Sequence, residues 1–368
     1  MTAHRTARAL LPGRATRNGT ARYAARYEST FIPGFYRTVA DQCRVSSIGL
    51  GTYLGDPEGG DDARYEAALR LAFAYGINLV DSAINYRCQR SERAVGAALV
   101  AAIEVGDVER DEVMLCTKGG YIPLDGTPPA SRDEYQAYLA HNFYDAGIMT
   151  PDDVVAGGHC LAPAFIADQI ERSRNNLGVE TIDIYYLHNP EQQLDSVDRT
   201  TLTSRLRDAF ALLEERVATG EIGCYGCATW NGLRVGSESR DHLSLAELVR
   251  LAEEAGGADH SFCMVQLPIN LAMPEALRLP SQTLAGGEQT TVLDAAARLG
   301  VAVMASATLL QARLTQGLPQ QLAEEFPTLE TDAQRAIAFV RSLPAVTAAL
   351  VGMKSTAHVH ENLGAARR

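Results

Sequence analysis

Eight short, nearly continuous apolar runs, separated by segments whose apolar residues recur at helical spacing, constrain this chain more than any other feature. The runs are RVSSIGLGTY, NLVDSA, VMLCTKG, IDIYYLH, IGCYGCATW, FCMVQLPIN, AVMASAT and TAALVGMK. Strands read this way when both sheet faces are covered, as in a parallel sheet sheathed by helices. The segments between them include ARYEAALRLAFAYG (63–76), stopped by Gly76, and RLRDAFALLEERVATG. Eight strand and helix pairs predict an α/β fold, a (β/α)8 TIM barrel with an N-terminal extension and long βα loops. An open doubly wound sheet usually carries a G-x-G-x-x-G turn after its first strand, and none is present. Although 368 residues suit two average domains, barrels of this type reach that size as one. We assign residues 1–35 to a basic extension and 36–368 to the barrel, with a hairpin of FYRTV and the start of RVSSIGLGTY covering the floor.

Three successive runs close on an ionisable residue: Asp81 in NLVDSA, Lys118 in VMLCTKG and His188 in IDIYYLH, with Tyr86 just beyond the first. The carboxy-terminal rim of a parallel barrel is where such folds keep their chemistry. Together with the words GLGTY (49–53), DSAINY (81–86), TKGG (117–120) and LHNP (187–190), the set Asp81, Tyr86, Lys118, His188 resembles the catalytic tetrad of the aldo-keto reductase superfamily.

The chemistry such a set performs follows from its parts. Reducing a carbonyl needs a hydride at carbon and a proton at oxygen, and a nicotinamide supplies only the hydride. A phenol with a pKa of roughly 10 donates poorly at neutral pH unless an ammonium favours its phenolate. Tyr86 is therefore expected as general acid, Lys118 as its tuner and Asp81 as the partner that holds Lys118. The resemblance implies that His188 orients the carbonyl by a hydrogen bond. Taken singly, each residue has an ordinary structural role: Asp81 as a helix cap, Lys118 as a surface charge, His188 and Tyr86 as core side chains.

The resemblance also implies a cofactor site in the second half. Gln266 stands where the family places a glutamine on the nicotinamide carboxamide. The family's Ser-Asn pair at the end of strand five is replaced by Ala228 and Thr229, so Thr229 is either the substitute contact or only a strand-end β-branched residue. VGMKSTAHVHENL resembles the element that grips the adenosine half, placing Gly352, Ser355, His358, Glu361 and Asn362 there, with Lys354 a cation for a 2′-phosphate. Ser355 also reads as the cap of the last helix. Ser306 matches the start of a family S-P-L segment whose proline is Ala307 here, and Arg313 reads as a phosphate contact or as a helix-surface charge. NADPH is the expected cofactor, NADH less so, and no metal is expected.

Two connections exceed minimal barrel loops. Residues 121–163 are rich in aromatic and histidine side chains and read either as a substrate wall or as a helical brace around DEYQAYLAHNF. Tyr53, Tyr144 and His159 are the expected substrate contacts. Residues 271–289 are expected to fold over the cofactor, with Gly286 and Gly287 as a hinge.

A net charge of −12 argues against a nucleic-acid surface, and no apolar run is long enough to span a membrane. Seven scattered cysteines are unlike a disulfide framework and suggest a reducing cytoplasm. Cys224 and Cys227 alternate to opposite faces of a strand and read as small buried hydrophobes. The first segment carries Arg5, Arg8, Arg14, Arg17, Arg22 and Arg26 before any acid, with Pro12, Gly13 and Gly19 expected to interrupt a helix. It resembles a transit peptide, but a solvated arm packed on the barrel is the preferred reading. The whole reads as a cytoplasmic, NADPH-dependent reductase of a small-molecule aldehyde or ketone. The alternative is a dinucleotide-binding regulatory or docking subunit of the same superfamily.

Overall fold

A computed structural model describes residues 9–155 and 157–368. The eight barrel strands are β1 (Ile48–Gly51), β2 (Leu79–Asp81), β3 (Met114–Gly119), β4 (Ile182–His188), β5 (Ile222–Ala228), β6 (Phe262–Pro268), β7 (Ala302–Ser306) and β8 (Val346–Gly352). All neighbours pair in parallel and the sheet closes, β8 onto β1 and β6 onto β7. A sheathing helix follows each strand: α1 (Gly59–Ala74), α2 (Arg90–Glu104), α3 (Pro163–Leu177), α4 (Arg199–Ala218), α5 (Leu245–Gly256), α6 (Val292–Leu299), α7 (Asp332–Ser342) and α8 (Thr356–Leu363). A hairpin of Tyr36–Thr38 with Arg44–Ser46 precedes β1. Among the described residues no helix is long and apolar enough to cross a membrane.

Strand alternation divides the core in two. Leu79, Met114, Cys116, Ile184, Tyr186, Met264, Met304 and Leu350 fill the barrel interior, while their neighbours Val80, Leu115, Leu187 and Val265 pack against the helices. Side chains two residues apart share a face. The interior run therefore continues upward as Leu79 to Asp81, Cys116 to Lys118, Tyr186 to His188, Met264 to Gln266 and Met304 to Ser306. The position of each polar residue at the rim follows from one parity rule.

The amino-terminal segment departs from expectation. Arg5 and Arg8 lie outside the described residues, but Arg17–Tyr27 is a helix capped by Thr16, and it contains Gly19. A side chain at Gly19 would sit 2.3 Å from the Asp111 carbonyl, so glycine there permits close packing of helix on barrel and does not break the helix. Arg22 and Arg26 pair with the fully buried Glu112, and Tyr23 is buried with its hydroxyl donated to the Phe73 carbonyl.

The cysteine reading also needs correction. Cys224 and Cys227 do face opposite layers. Cys224, however, is disulfide-bonded to Cys263 on the adjacent strand, Cα atoms 6.4 Å apart. The partner lies 39 residues on, where spacing along the chain carries no signal.

Residues 121–163 contain a helix, Arg132–Leu139, which runs into a wider turn over Ala140–Tyr144. Leu139, Phe143 and Cys160 join the outer core, and Phe143 meets Phe165 of α3 with ring centroids 5.6 Å apart. The segment braces α3. Residues 271–289 fold into a short helix, Glu275–Arg278, and lead into an antiparallel pair, Gln282–Thr283 with Gln289–Thr290.

Candidate active site

The strand ends surround a cavity of about 1060 Å³ at the carboxy-terminal mouth of the barrel. Inward parity brings Lys118 beneath it, fully buried, with its ammonium 2.7 Å from Asp81 Oδ2, 2.7 Å from the Ser82 carbonyl and 3.5 Å from the Tyr86 hydroxyl. A buried ammonium without a carboxylate would be costly, and Asp81 supplies the counter-charge. Asp81 is fixed in turn: its Oδ1 accepts from Gln266 Nε2 at 2.7 Å.

Tyr86 meets Tyr53 and His188 edge to face, with ring centroids 5.0 and 5.9 Å apart. Burial pushes the Tyr86 phenol above its ordinary pKa; Lys118 opposes that rise, and the Asp81 carboxylate adds to it. The net direction is upward, against the expectation that the ammonium lowers it. Burial, aided by Lys118 and His159, holds His188 well below the ordinary histidine value, so the ring is neutral. Its Nδ1 is buried with no partner.

Most of the expected cofactor residues share this cavity. Thr229, Gln266, Ser306, Arg313, Gly352, Lys354, His358, Glu361 and Asn362 all line the cavity. Ser355 does not; its hydroxyl caps α8 by accepting from the His358 amide. Thr229 is buried, and its Oγ1 has no partner. Lys354 is already engaged, 3.0 Å from the buried Asp61 carboxylate.

Of the expected substrate contacts, only Tyr53 lines the cavity. His159 is fully buried, its Nε2 2.7 Å from the His188 carbonyl and its Nδ1 2.6 Å from Gln193 Nε2. It touches the strand that carries His188, not the space above it. Tyr144 packs on the outer core with the brace. From 121–163 the wall receives Tyr121, and from 271–289 only Met273. The larger contribution comes from residues after β7, Ala307 to Arg313, where Leu310, Gln311 and Ala312 are all left-handed with φ of 46°, 52° and 67°. Non-glycine residues in that region are costly and tend to cluster at functional sites, but nothing in their composition announces them. Trp230 and Asn189, each one residue past an expected contact, were also missed.

The profile of the Aldo/keto reductase family matches residues 47–368. The chain belongs to this family. It is similar to a Klebsiella pneumoniae aldo/keto reductase solved with NADP and acetate, at 21% identity and a TM-score of 0.58 over 90% of this chain and 89% of that one. An aldo-keto reductase from Bacillus halodurans in its holo form is similar at 17% identity and a TM-score of 0.59, over 90% of each chain. At these identities the likeness concerns the fold. By sequence the chain is similar to a D-threo-aldose 1-dehydrogenase of a Pseudomonas species, 30% identical over 162 residues, 44% of this chain and 42% of the relative. It is also 23% identical over 193 residues to a 6-dehydroglucose reductase of Agrobacterium fabrum, covering 52% of each. The match thus spans about half the length of these relatives or less.

Proposed function

We propose that this aldo/keto reductase is an NADPH-dependent enzyme that reduces an aldehyde or ketone to an alcohol. The observation that carries the reading is the position of the Lys118 ammonium, between Asp81 Oδ2 and the Tyr86 hydroxyl and beside a neutral His188. The dinucleotide, when bound, supplies the hydride. Tyr86 transfers its phenolic proton to the carbonyl oxygen, and Lys118 stabilises the phenolate left behind. Asp81 keeps Lys118 charged and in place. His188 Nε2–H donates to the same oxygen and strengthens that bond as negative charge develops on it.

The cavity's own groups fit the cofactor. The unpartnered Thr229 Oγ1 and the remaining Gln266 oxygen are hydrogen-bonding atoms for a carboxamide, which Ala228 cannot bind through its side chain. Lys354 and His358 are the groups for the adenosine end, and the similar Klebsiella pneumoniae aldo/keto reductases were solved with NADP and with NADPH. The docking-subunit alternative is not favoured by any feature of the geometry.

NADPH oxidation against a broad carbonyl panel tests the reading, with Tyr86→Phe as control. The variant should bind NADPH within a few-fold while turnover falls by roughly 10²–10⁴, the loss of a general acid. Near-normal turnover in that variant would sink the assignment, and no turnover with any carbonyl would leave the docking reading.

A further inference from the structure

Three consecutive residues after Tyr86 are left-handed without being glycine: Arg87, Cys88 and Gln89, with φ of 49°, 54° and 66°. A Cβ makes this backbone costly, and such residues persist only where their surroundings hold them. All three are buried. The run turns the chain from Tyr86 into α2, whose amino-terminal cap is Gln89. Relaxation of any member to right-handed or extended backbone would swing Tyr86 relative to Lys118, which its hydroxyl meets at 3.5 Å.

The far end of the run is anchored twice. Gln89 Nε2 donates to the Leu124 carbonyl at 3.1 Å and its Oε1 accepts from Asn176 Nδ2 at 3.0 Å, while the Cys88 carbonyl accepts from the Gly126 amide at 3.0 Å. The near end, beside Tyr86, is held by Arg87. Its side chain, 1% exposed, donates from Nε to the Asp56 carbonyl at 2.9 Å, and from Nη2 to the Glu58 carbonyl at 3.3 Å and to Asp62 Oδ1. The guanidinium also lies over the Tyr65 ring, 5.2 Å from its centroid. Asp62 is fixed in turn through its other oxygen, which accepts from Arg90 Nη2 at 2.5 Å.

These partners carry a wall of the main cavity. Tyr65 lines it and donates to the Leu54 carbonyl at 2.6 Å, and Tyr53, one residue back, meets Tyr86 edge to face. Arg87 thus ties the backbone just after Tyr86 to the segment that sets an aromatic ring against it. Backbone conformation alone would favour glycine at φ 49°, and Arg87 Nη1 is buried without a partner. Strain and an unmet donor both count against arginine here; what it adds is the tie. The groups that face the phenol are Lys118, Asp81, Tyr53 and His188. The guanidinium is turned to Asp62 and Tyr65 on α1, so Arg87 acts on Tyr86 through the chain and not through its charge.

We propose that Arg87 is a positioning residue for Tyr86, holding the phenol within reach of Lys118 and against Tyr53 by fixing a strained backbone to the start of α1. The proposal rests on the carbonyl-reducing reading and adds to it a residue that does not line the cavity.

Three variants separate the contributions. Arg87→Gly removes the tie and frees the backbone, Asp62→Asn keeps the arginine but takes away its carboxylate, and Arg87→Lys keeps a cation that cannot fork to both carbonyls. With the most active carbonyl of the panel, Arg87→Gly should lower kcat by about ten- to a hundred-fold, the scale of a misplaced reacting group, with carbonyl KM within about three-fold. The other two should lose about three- to ten-fold. In all three the alkaline limb of the pH–kcat profile should move upward, because the phenol then sits farther from the ammonium that opposes its rise. A second readout needs no turnover: fluorine NMR of protein labelled with 3-fluorotyrosine, in which the Tyr86 signal is the one lost in Tyr86→Phe. That signal should titrate at higher pH in the variants than in the parent. A variant that merely loosened the fold would lower the melting temperature and leave both the limb and the signal in place. Should Arg87→Gly fail to fold, Asp62→Asn and Arg87→Lys give the same readings. A kcat within about two-fold of the parent in Arg87→Gly, or a limb and a Tyr86 signal unmoved in every folded variant, overturns the proposal and leaves the proposed reduction intact. If the parent turns over no carbonyl, the reduction falls, and the fluorine titration alone decides whether Arg87 holds Tyr86.

Discussion

Gln266 Nε2 lies 2.7 Å from Asp81 Oδ1, a hydrogen bond that crosses the barrel mouth from β6 to β2. The other oxygen of Asp81 holds Lys118, so both faces of this carboxylate are used and the carboxamide of Gln266 is half committed before any ligand binds. The residue taken from sequence as a cofactor contact thus also holds the Asp81 end of the Asp81–Lys118 pair, and under the proposed function binding and proton transfer would share one side chain.

Gln266→Met should therefore lower kcat as well as cofactor affinity. Removing a hydrogen bond to a buried charge costs about 1.5–3 kcal/mol, roughly ten- to a hundred-fold. Steady-state kinetics with a separate NADPH titration checks this. A loss confined to cofactor affinity would show that Asp81 holds its place without Gln266.

Lys118→Met is expected to move the alkaline limb of the pH–rate profile upward or to abolish activity. Burial already raises the Tyr86 phenol, and Lys118 is the main influence in the opposite direction. Without it the phenol is a weaker acid and its phenolate loses its adjacent cation. A profile unchanged in position and height would make Lys118 structural.

What was legible in the sequence is what period-two alternation controls. Asp81, Lys118, His188 and Gln266 lie two residues above interior core residues, so their place at the rim follows from local pattern. Loop residues obey no such rule. Tyr144 and His159 have the composition of a substrate wall, but Phe143 and Cys160 beside them are core residues, and that packing turns the segment into a brace. A small hollow of about 220 Å³ beside the main cavity joins residues far apart in sequence, from Asn189 to Asp241. Gly19 misled for the opposite reason: the helix around it is held by Asp111 and Glu112, which local propensity does not see.

On the proposed reading, Lys354 and Asp61 together set the cofactor preference. Burial works against ionising Asp61, yet the Asp56 amide and then Lys354 hold its carboxyl below the usual range. The Lys354 ammonium lines the cavity while bonded to that carboxylate, so a 2′-phosphate must share it. Lys354→Ala should weaken NADPH by about ten- to a hundred-fold and leave NADH nearly untouched, whereas Asp61→Asn should favour NADPH over NADH. Dissociation constants for both cofactors decide it. Equal loss of the two in Lys354→Ala would mean the pair supports the fold alone.

His159 gives the protein a pH-dependent stability that is separate from its chemistry. Burial, with Arg205 adding to it, lowers the imidazole to about 4 against the pull of the His188 carbonyl. In the unfolded chain the same ring titrates near about 6.5. A histidine whose folded value is depressed takes up its proton first in the unfolded state, so its contribution is complete above about pH 6.5 and is lost as pH falls toward 4. The difference corresponds to about 3 kcal/mol. His159→Gln keeps a polar group for the His188 carbonyl and Gln193 but cannot titrate. Its unfolding free energy, measured by urea titration at several pH values, should fall below that of the parent near neutrality and converge on it under acid conditions. A gap that stays constant with pH would mean that the ring takes up its proton alike in the folded and unfolded chain, so that its burial carries no pH-dependent stability.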